Sequence, residues 1–213
     1  MNRLLFVDTE TTGKALFKAP YKDKQQPHII QIALLHYEGE EERFALNTLI
    51  QPEGFVVPQE ALAIHGISTE RAGAWGLPLA TVLSIYADLM GRSDLLVGHN
   101  ISFDAFVLDC EMARLNMNCR RPPTYCTMKS AADFTRIPGP RGDWKWPRLE
   151  EACQLLLGQP LAGAHDAMND LRVTQRLYRW LLKAPGAASP AKANVPLSAE
   201  APAAEPAPTS PHA

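Results

Sequence analysis

The sequence predicts an α/β sandwich built around one mixed sheet. Three observations carry that prediction. An apolar run, Leu4-Leu5-Phe6-Val7, stops at Asp8. Two further strand-like segments follow it. Helical and strand-like segments then alternate to residue 182.

The elements follow in order. Arg3 to Asp8 reads as a buried strand. His28 to Tyr37 and Phe44 to Ile50 read as two more, with Glu38-Gly39-Glu40-Glu41 as the turn between them. Leu79 to Met90 reads as a helix and Leu95-Leu96-Val97 as a short strand. Ile101 to Leu115 places Ala105, Leu108, Met112 and Leu115 on one face of a helix. Tyr125 to Met128 reads as a fifth strand. Pro147 to Leu157 reads as a helix with proline in its first turn and Gly158 as its stop. Asp166 to Leu182 is the last helix, with Asp166 as its cap.

Composition narrows the function. The 213 residues are 46% hydrophobic and 21% charged, ordinary for a globular protein. The formal charge of −2 excludes a strongly basic, histone-like binder but not a polyanionic partner, because local charge decides. No apolar run is long enough to span a membrane, and the N-terminal run is too short for a signal-peptide core. Cys110, Cys119, Cys126 and Cys153 form no CxxC pair, so neither a zinc knuckle nor a disulfide scaffold is indicated, and a reducing cytoplasm is the expected home. Residues 184–213 hold eleven Ala and seven Pro, a composition that cannot bury enough apolar surface to offset its ordering entropy. They are expected to form a disordered tail after a domain spanning residues 1–183. Gly13 to Pro27 reads as an irregular insert with Lys14, Lys18, Lys22 and Lys24 against one acid, Asp23.

Several acids sit in unusual places. Asp8 and Glu10 are two apart at the end of an apolar strand, so both leave one face of the backbone. Like charges there repel, which makes sense with a cation between them; exposed strand-end acids are the plainer alternative. Asp104 falls in a first helical turn on the side of Leu108, where it faces the protein or simply complements the helix dipole. Asp170 shares a face with Ala167, Leu171 and Thr174, five residues after His165. None of these decides a function alone. Arg120 to Arg148 carries seven bases and two acids with Trp144 and Trp146 interleaved, which suits a phosphate track or a solvated loop anchored by its tryptophans.

Taken together the segments resemble the DnaQ-like 3′-to-5′ exonuclease superfamily, in its histidine-bearing (DEDDh) branch. The motifs are Phe6-Val-Asp8-Thr-Glu10-Thr-Thr-Gly13, Val97-Gly-His99-Asn100-Ile-Ser-Phe103-Asp104 and His165-Asp-Ala-Met-Asn-Asp170. Between them, Ala63-Ile64-His65-Gly66-Ile67-Ser68 is similar to a segment of the proofreading (epsilon) subunits of bacterial DNA polymerase III. The tyrosine-bearing branch is disfavoured, because Asp166 stands where it would place a tyrosine.

The resemblance implies an RNase H-like fold, a mixed five-stranded sheet flanked by helices. It implies two Mg²⁺ or Mn²⁺ ions held by Asp8, Glu10, Asp104 and Asp170, which fits a donor set of hard oxygens. By analogy His165 is the general base, and Thr11, Ile64, His65, Asn100 and Phe103 contact the terminal nucleotide. Phe103 also fits a core position, and Asn100 also fits a helix cap. The implied reaction releases nucleoside 5′-monophosphates from a single-stranded or frayed DNA 3′ end, by a protein either free-standing or bound to a DNA polymerase subunit. RNA is the competing substrate, and a non-catalytic interaction module is the competing class. No membrane partner is expected.

Overall fold

The computed structural model describes residues 2–185; the tail expected over 184–213 lies outside the described residues from position 186 on. Five strands form one mixed sheet in the order β3-β2-β1-β4-β5. They are β1 (Arg3–Thr11), β2 (Ile29–Glu38), β3 (Glu41–Leu49), β4 (Leu95–Gly98) and β5 (Thr124–Cys126). β1 pairs antiparallel with β2 and parallel with β4, and β4 is parallel to β5. The carboxyl ends of β1, β4 and β5 therefore share one edge.

The helices are α1 (Gln59–His65), α2 (Thr69–Trp75), α3 (Leu79–Arg92), α4 (Ile101–Arg114), α5 (Thr127–Thr135), α6 (Leu149–Ala152) and α7 (Ala167–Lys183). Alternation along β1 assigns its two faces. Leu5 and Val7 pack with α3 and α4, through Val82, Leu83, Tyr86 and Leu108. Leu4 and Phe6 pack with α7, through Leu171, Leu177 and Tyr178. The Phe6 ring meets Tyr37 and Tyr178 edge-on at 5.7 and 5.5 Å between centroids. The sheet is thus covered on both sides, as its almost wholly buried β2 requires.

Several boundaries differ from expectation. The first strand runs three residues past Asp8, because Thr9, Glu10 and Thr11 keep pairing with β2. The fifth strand ends at Cys126, and Thr127 opens a helix instead. The β2–β3 turn is confined to Gly39 and Glu40, with Gly39 at φ 61°. The helix expected from Pro147 starts at Leu149, where the Arg148 backbone N–H donates to Glu151 Oε2 at 2.8 Å. It widens into a π-helical turn over Cys153–Leu157 before Gly158 ends it at φ 68°. α1, α2 and α5 are not anticipated by the sequence pattern.

α1 and α2 meet the sheet through Ile67 and Ala72, which pack on Ile30 of β2, and through a tight joint that follows α2. Leu77 donates to Leu49 O at 2.9 Å and accepts from Gln51 N at 2.9 Å. A Cβ on Gly76 would lie 2.4 Å from Ala72 O and 2.5 Å from Gln51 N, so the backbones meet there only because the side chain is absent. Gly73, inside α2, has nothing within 4 Å of the same position. Gly76→Ala should therefore cost about 2–4 kcal/mol in denaturant unfolding. Gly73→Ala should instead gain about 0.5–1 kcal/mol. Equal effects from the two would show that the joint is not steric.

Candidate active site

Alternation continues past the core of β1. Asp8 and Glu10 take the face of Leu4 and Phe6, the side of α7. Thr9 takes the opposite face and meets α4: Asp104 Oδ1 accepts from Thr9 N at 3.0 Å and from Thr9 Oγ1 at 2.8 Å. That two-point attachment draws the first turn of α4 onto the end of β1. Asp104 is only 3% exposed.

The third wall is the start of α7. Asp166 caps it, accepting from Asn169 N at 3.1 Å. His165 just before it sits at φ 65°, and its backbone N–H donates to Asp170 Oδ2 at 3.2 Å. Asn169 Nδ2 donates to Gly163 O at 3.3 Å, so the loop that carries His165 is pinned to the helix it precedes. One oxygen or ring nitrogen from each of Glu10, His165 and Asp170 lies within 4.8 Å of the others.

These carboxyl groups strain one another electrostatically. Burial pushes Asp8 well above the ordinary carboxylate range, and the charges of Asp104, Asp170, Glu10 and Asp166 push the same way. Burial, then Asp170, Asp104 and Asp166, raises Glu10 to about 7. Burial raises Asp104 to about 7 against the opposing bonds from Thr9. Asp170 also rises, chiefly through burial, and its Oδ1 is buried without a hydrogen-bond partner. A fully ionised cluster of this kind calls for a cation. Its donors are hard oxygens, and none of the four cysteines belongs to it, which fits Mg²⁺ or Mn²⁺.

The structure brings Asp8, Glu10, Asp104, His165 and Asp170 to one edge. The residues expected at the terminal nucleotide border it unevenly. Thr11 follows Glu10 and spends its hydroxyl on Gly13 O at 2.8 Å. His65 Nδ1 accepts from Ile67 N at 3.0 Å. Its Nε2 is buried beside the Thr11 backbone without a well-formed hydrogen bond, and its ring lies near enough to feel the charge of His165. Ile64 is 59% exposed. Asn100 stands at the N-cap of α4 in the left-handed region, φ 67°, but its side chain caps nothing. The helix-cap alternative for its amide is therefore excluded. Phe103 is half-buried against the core.

Three contributors escape sequence reasoning. Gln31, opposite Glu10 in the sheet, donates to Asp166 Oδ2 at 3.2 Å and accepts from Ala167 N at 3.3 Å, which ties α7 to β2. Asp166 adds a further negative charge. Thr9 is the anchor described above. A polar side chain such as Gln31 in an otherwise apolar strand is the one signal that could have found it. His99, inside the second motif, is structural: its Nε2–H donates to Pro147 O at 3.0 Å and Nδ1 accepts from Thr127 Oγ1 at 3.0 Å. Burial drops it to about 4, so it stays neutral. The basic track over Arg120–Arg148 is weaker than its composition suggests. Arg121 pairs with Asp109, Lys145 with Glu151 at 2.7 Å, and Arg148 with Glu151 at 3.6 Å.

A mixed five-stranded sheet flanked by helices, with five acids and a histidine at its carboxyl edge, is the RNase H-like fold of exonucleases. Solved structures share that fold: Escherichia coli Exonuclease I in complex with a dA16 oligonucleotide superposes with a TM-score of 0.66 at 20% identity. That match covers 85% of this chain and 43% of that one, so the chain spans less than half of the larger structure. The chain belongs to the RNase T exonuclease family, whose model matches residues 5–178, and with it to the DnaQ-like superfamily. DNA polymerase III subunit epsilon of Salmonella typhimurium is 25% identical, over 84% of this chain and 70% of that protein. An uncharacterized exonuclease, CP81, of Escherichia phage 186 is 28% identical, over 84% and 88%.

The raised carboxyls make the metal-free protein pH-sensitive. The folded form keeps protons on Glu10 and Asp104 up to about 7, whereas the unfolded chain releases them near 4.5 and 3.8. The unfolded state thus binds fewer protons in that window, and stability falls as pH rises through it. Thermal melts in EDTA should show the midpoint dropping between about pH 4 and about pH 7 and levelling above. Asp104→Asn keeps an acceptor for Thr9 and should raise the pH 8 midpoint by on the order of 5 °C. A lower midpoint would mean that the charge is not a burden.

Proposed function

We propose that this chain is a divalent-metal-dependent 3′-to-5′ exonuclease. It hydrolyses the terminal phosphodiester of single-stranded or frayed DNA and releases nucleoside 5′-monophosphates. The observation that carries the reading is the convergence of Asp8, Glu10, Asp104 and Asp170 around an exposed His165. Membership of an exonuclease family supports it. The relatives named DNA polymerase III subunit epsilon support DNA over RNA, and motivate a DNA polymerase subunit as a partner. The four free cysteines suit a reducing compartment such as the cytoplasm. Residues 1–183, which contain the matched stretch 5–178, form the exonuclease domain in this reading.

Asp8, Glu10, Asp104 and Asp170 would hold two divalent ions. When bound, such ions supply positive charge for the attacking and leaving oxygens of an in-line displacement. The chain's own residues do the remainder. His165 takes the proton from the attacking water, and its exposed ring can pass that proton to solvent. Asp170 accepts from the His165 backbone and so fixes the loop on which the ring stands. The free amide of Asn100, together with Thr11 and His65, positions the last nucleotide, while Ile64 and Phe103 pack against its base.

End-labelled single-stranded DNA should yield labelled mononucleotides with Mg²⁺ and none with EDTA. Asp8→Ala should abolish release while the fold persists. His165→Ala should slow turnover by roughly 10²–10⁴. Undiminished activity in purified Asp8→Ala would refute the metal assignment, and faster cleavage of matched RNA would reverse the substrate.

A further inference from the structure

Residues 13–27 leave the sheet directly after Thr11 and return at β2 without forming a helix or strand. They are nonetheless firmly held. Gln26 is 2% exposed; its Oε1 accepts from Leu16 N at 3.0 Å and its Nε2 donates to Leu16 O at 2.9 Å. Arg114 of α4 donates to Gln26 O at 2.8 Å and to Pro27 O at 3.1 Å. Phe17 and Tyr21 close on Phe106 of α4, with ring centroids 4.8 and 5.2 Å apart.

What this segment presents is unusual for a structural loop. Lys14, Lys18, Lys22 and Lys24 are all exposed, and among the described residues none has a carboxylate within ion-pair distance. Lys22 is oriented by Asn116 Oδ1 at 2.7 Å. The one acid, Asp23, is occupied by the Gln25 backbone N–H at 2.8 Å. Phe17 is pinned on one side by Phe106 yet remains 56% exposed. Phe106 follows Phe103 by three residues, one turn further along the same side of α4. Phe17, against Phe106, therefore stands about one helical turn along α4 from Phe103, with Lys18 next to it in the chain and Lys14 three residues after Thr11. In the Arg120–Arg148 stretch, by contrast, Arg121, Lys145 and Arg148 are paired with acids, and the four bases without such a partner are spread over 22 positions rather than over one short loop.

We propose that Lys14, Lys18, Phe17 and Lys24 form a subsite for the single DNA strand upstream of the scissile bond. The lysines neutralise phosphates and the open face of Phe17 stacks on a base. The physical need is plain: a polyanion must approach a cluster of acids, and adjacent cations on a preordered loop offset the repulsion. This inference rests on the exonuclease reading above.

The test compares the protein with a Lys14→Gln, Lys18→Gln, Lys24→Gln variant and with Phe17→Ala. Substrates are oligothymidylates of about 4 and about 16 nucleotides, bracketing a typical single-strand site. The p-nitrophenyl ester of thymidine 5′-monophosphate, too small to reach the loop, serves as the control. The lysine variant should raise KM for the longer strand roughly 10- to 100-fold and lower its salt slope by about 0.7 for each phosphate no longer neutralised. Turnover of the ester and KM for the short strand should not move. Phe17→Ala should weaken the longer strand roughly 5- to 100-fold while KM for the short strand and turnover of the ester hold. An unchanged KM, an equal effect on the short strand, an equal effect on blunt duplex, or a stronger lysine dependence with RNA would overturn the assignment. Should the unaltered protein cleave neither ester nor DNA, the exonuclease reading falls. Fluorescence anisotropy of the labelled longer strand on the same proteins then decides the subsite separately.

Discussion

Like charges held in a small volume repel, and the active-site edge of this fold is organised against that repulsion. Three elements separated widely in sequence each deliver acid to one place: Asp8 and Glu10 from β1, Asp104 from α4, Asp166 and Asp170 from the start of α7. Nothing in their mutual interaction draws them together. What assembles them is the apolar packing beneath, with Leu5 and Val7 on α3 and α4, and Leu4 and Phe6 on α7. Hydrogen bonds then fix the tips. Thr9 takes one oxygen of Asp104, and Gln31 takes one of Asp166. The hydrophobic core thus does electrostatic work: it holds charge in a configuration that a bound cation relieves.

That division explains how much of the molecule is legible in the sequence. The alternation of β1 and the apolar face of α7 are strong because each side chain reports its own face, and both survive in the structure. The placement of Asp104 beside Leu108 follows from the same periodicity. What stays hidden has no period to show. α1 and α2 span only seven residues each, and α2 contains Gly73, so they depend on the Gly76 joint rather than on their own pattern. α5 follows β5 without a break, and the hydroxyl of its first residue, Thr127, is spent on His99. Gln31 reads as an interruption in a strand until α7 is placed over it. The charge of Arg120–Arg148 looks larger in the sequence than in the fold because a sum over sequence cannot see Asp109 and Glu151, which pair with Arg121, Lys145 and Arg148, three of its seven bases.

The two basic segments show why free charge, not charge count, bears on a polyanionic partner. An arginine already paired with a carboxylate has its donors occupied and its field cancelled within a few ångströms, and salt screens what remains. The lysines of the insert carry no such partner among the described residues, and their loop is ordered by Gln26 and Arg114 rather than by its own charges. Ordering a cation before its ligand arrives lowers the entropy lost on binding. Position reinforces this: the insert begins three residues beyond Glu10, whereas Lys145 and Arg148 serve to fasten the loop that carries Pro147 against His99.

The histidines at this edge obey the same logic, because one kind of side chain takes different parts according to what surrounds it. His99 is half-buried and uses both ring nitrogens, so a proton cannot be gained without breaking a bond. His65 spends Nδ1 on the turn that follows α1, and burial lowers its affinity for a second proton. His165 alone combines an exposed ring with carboxylates close by, and among the described residues neither of its ring nitrogens is engaged in a hydrogen bond. A group that must accept a proton and surrender it needs a free nitrogen and a route to water. Of the three histidines only His165 has both. It has them because its backbone turns through the left-handed region at φ 65°, which lifts the ring off the helix while Asp170 holds its N–H.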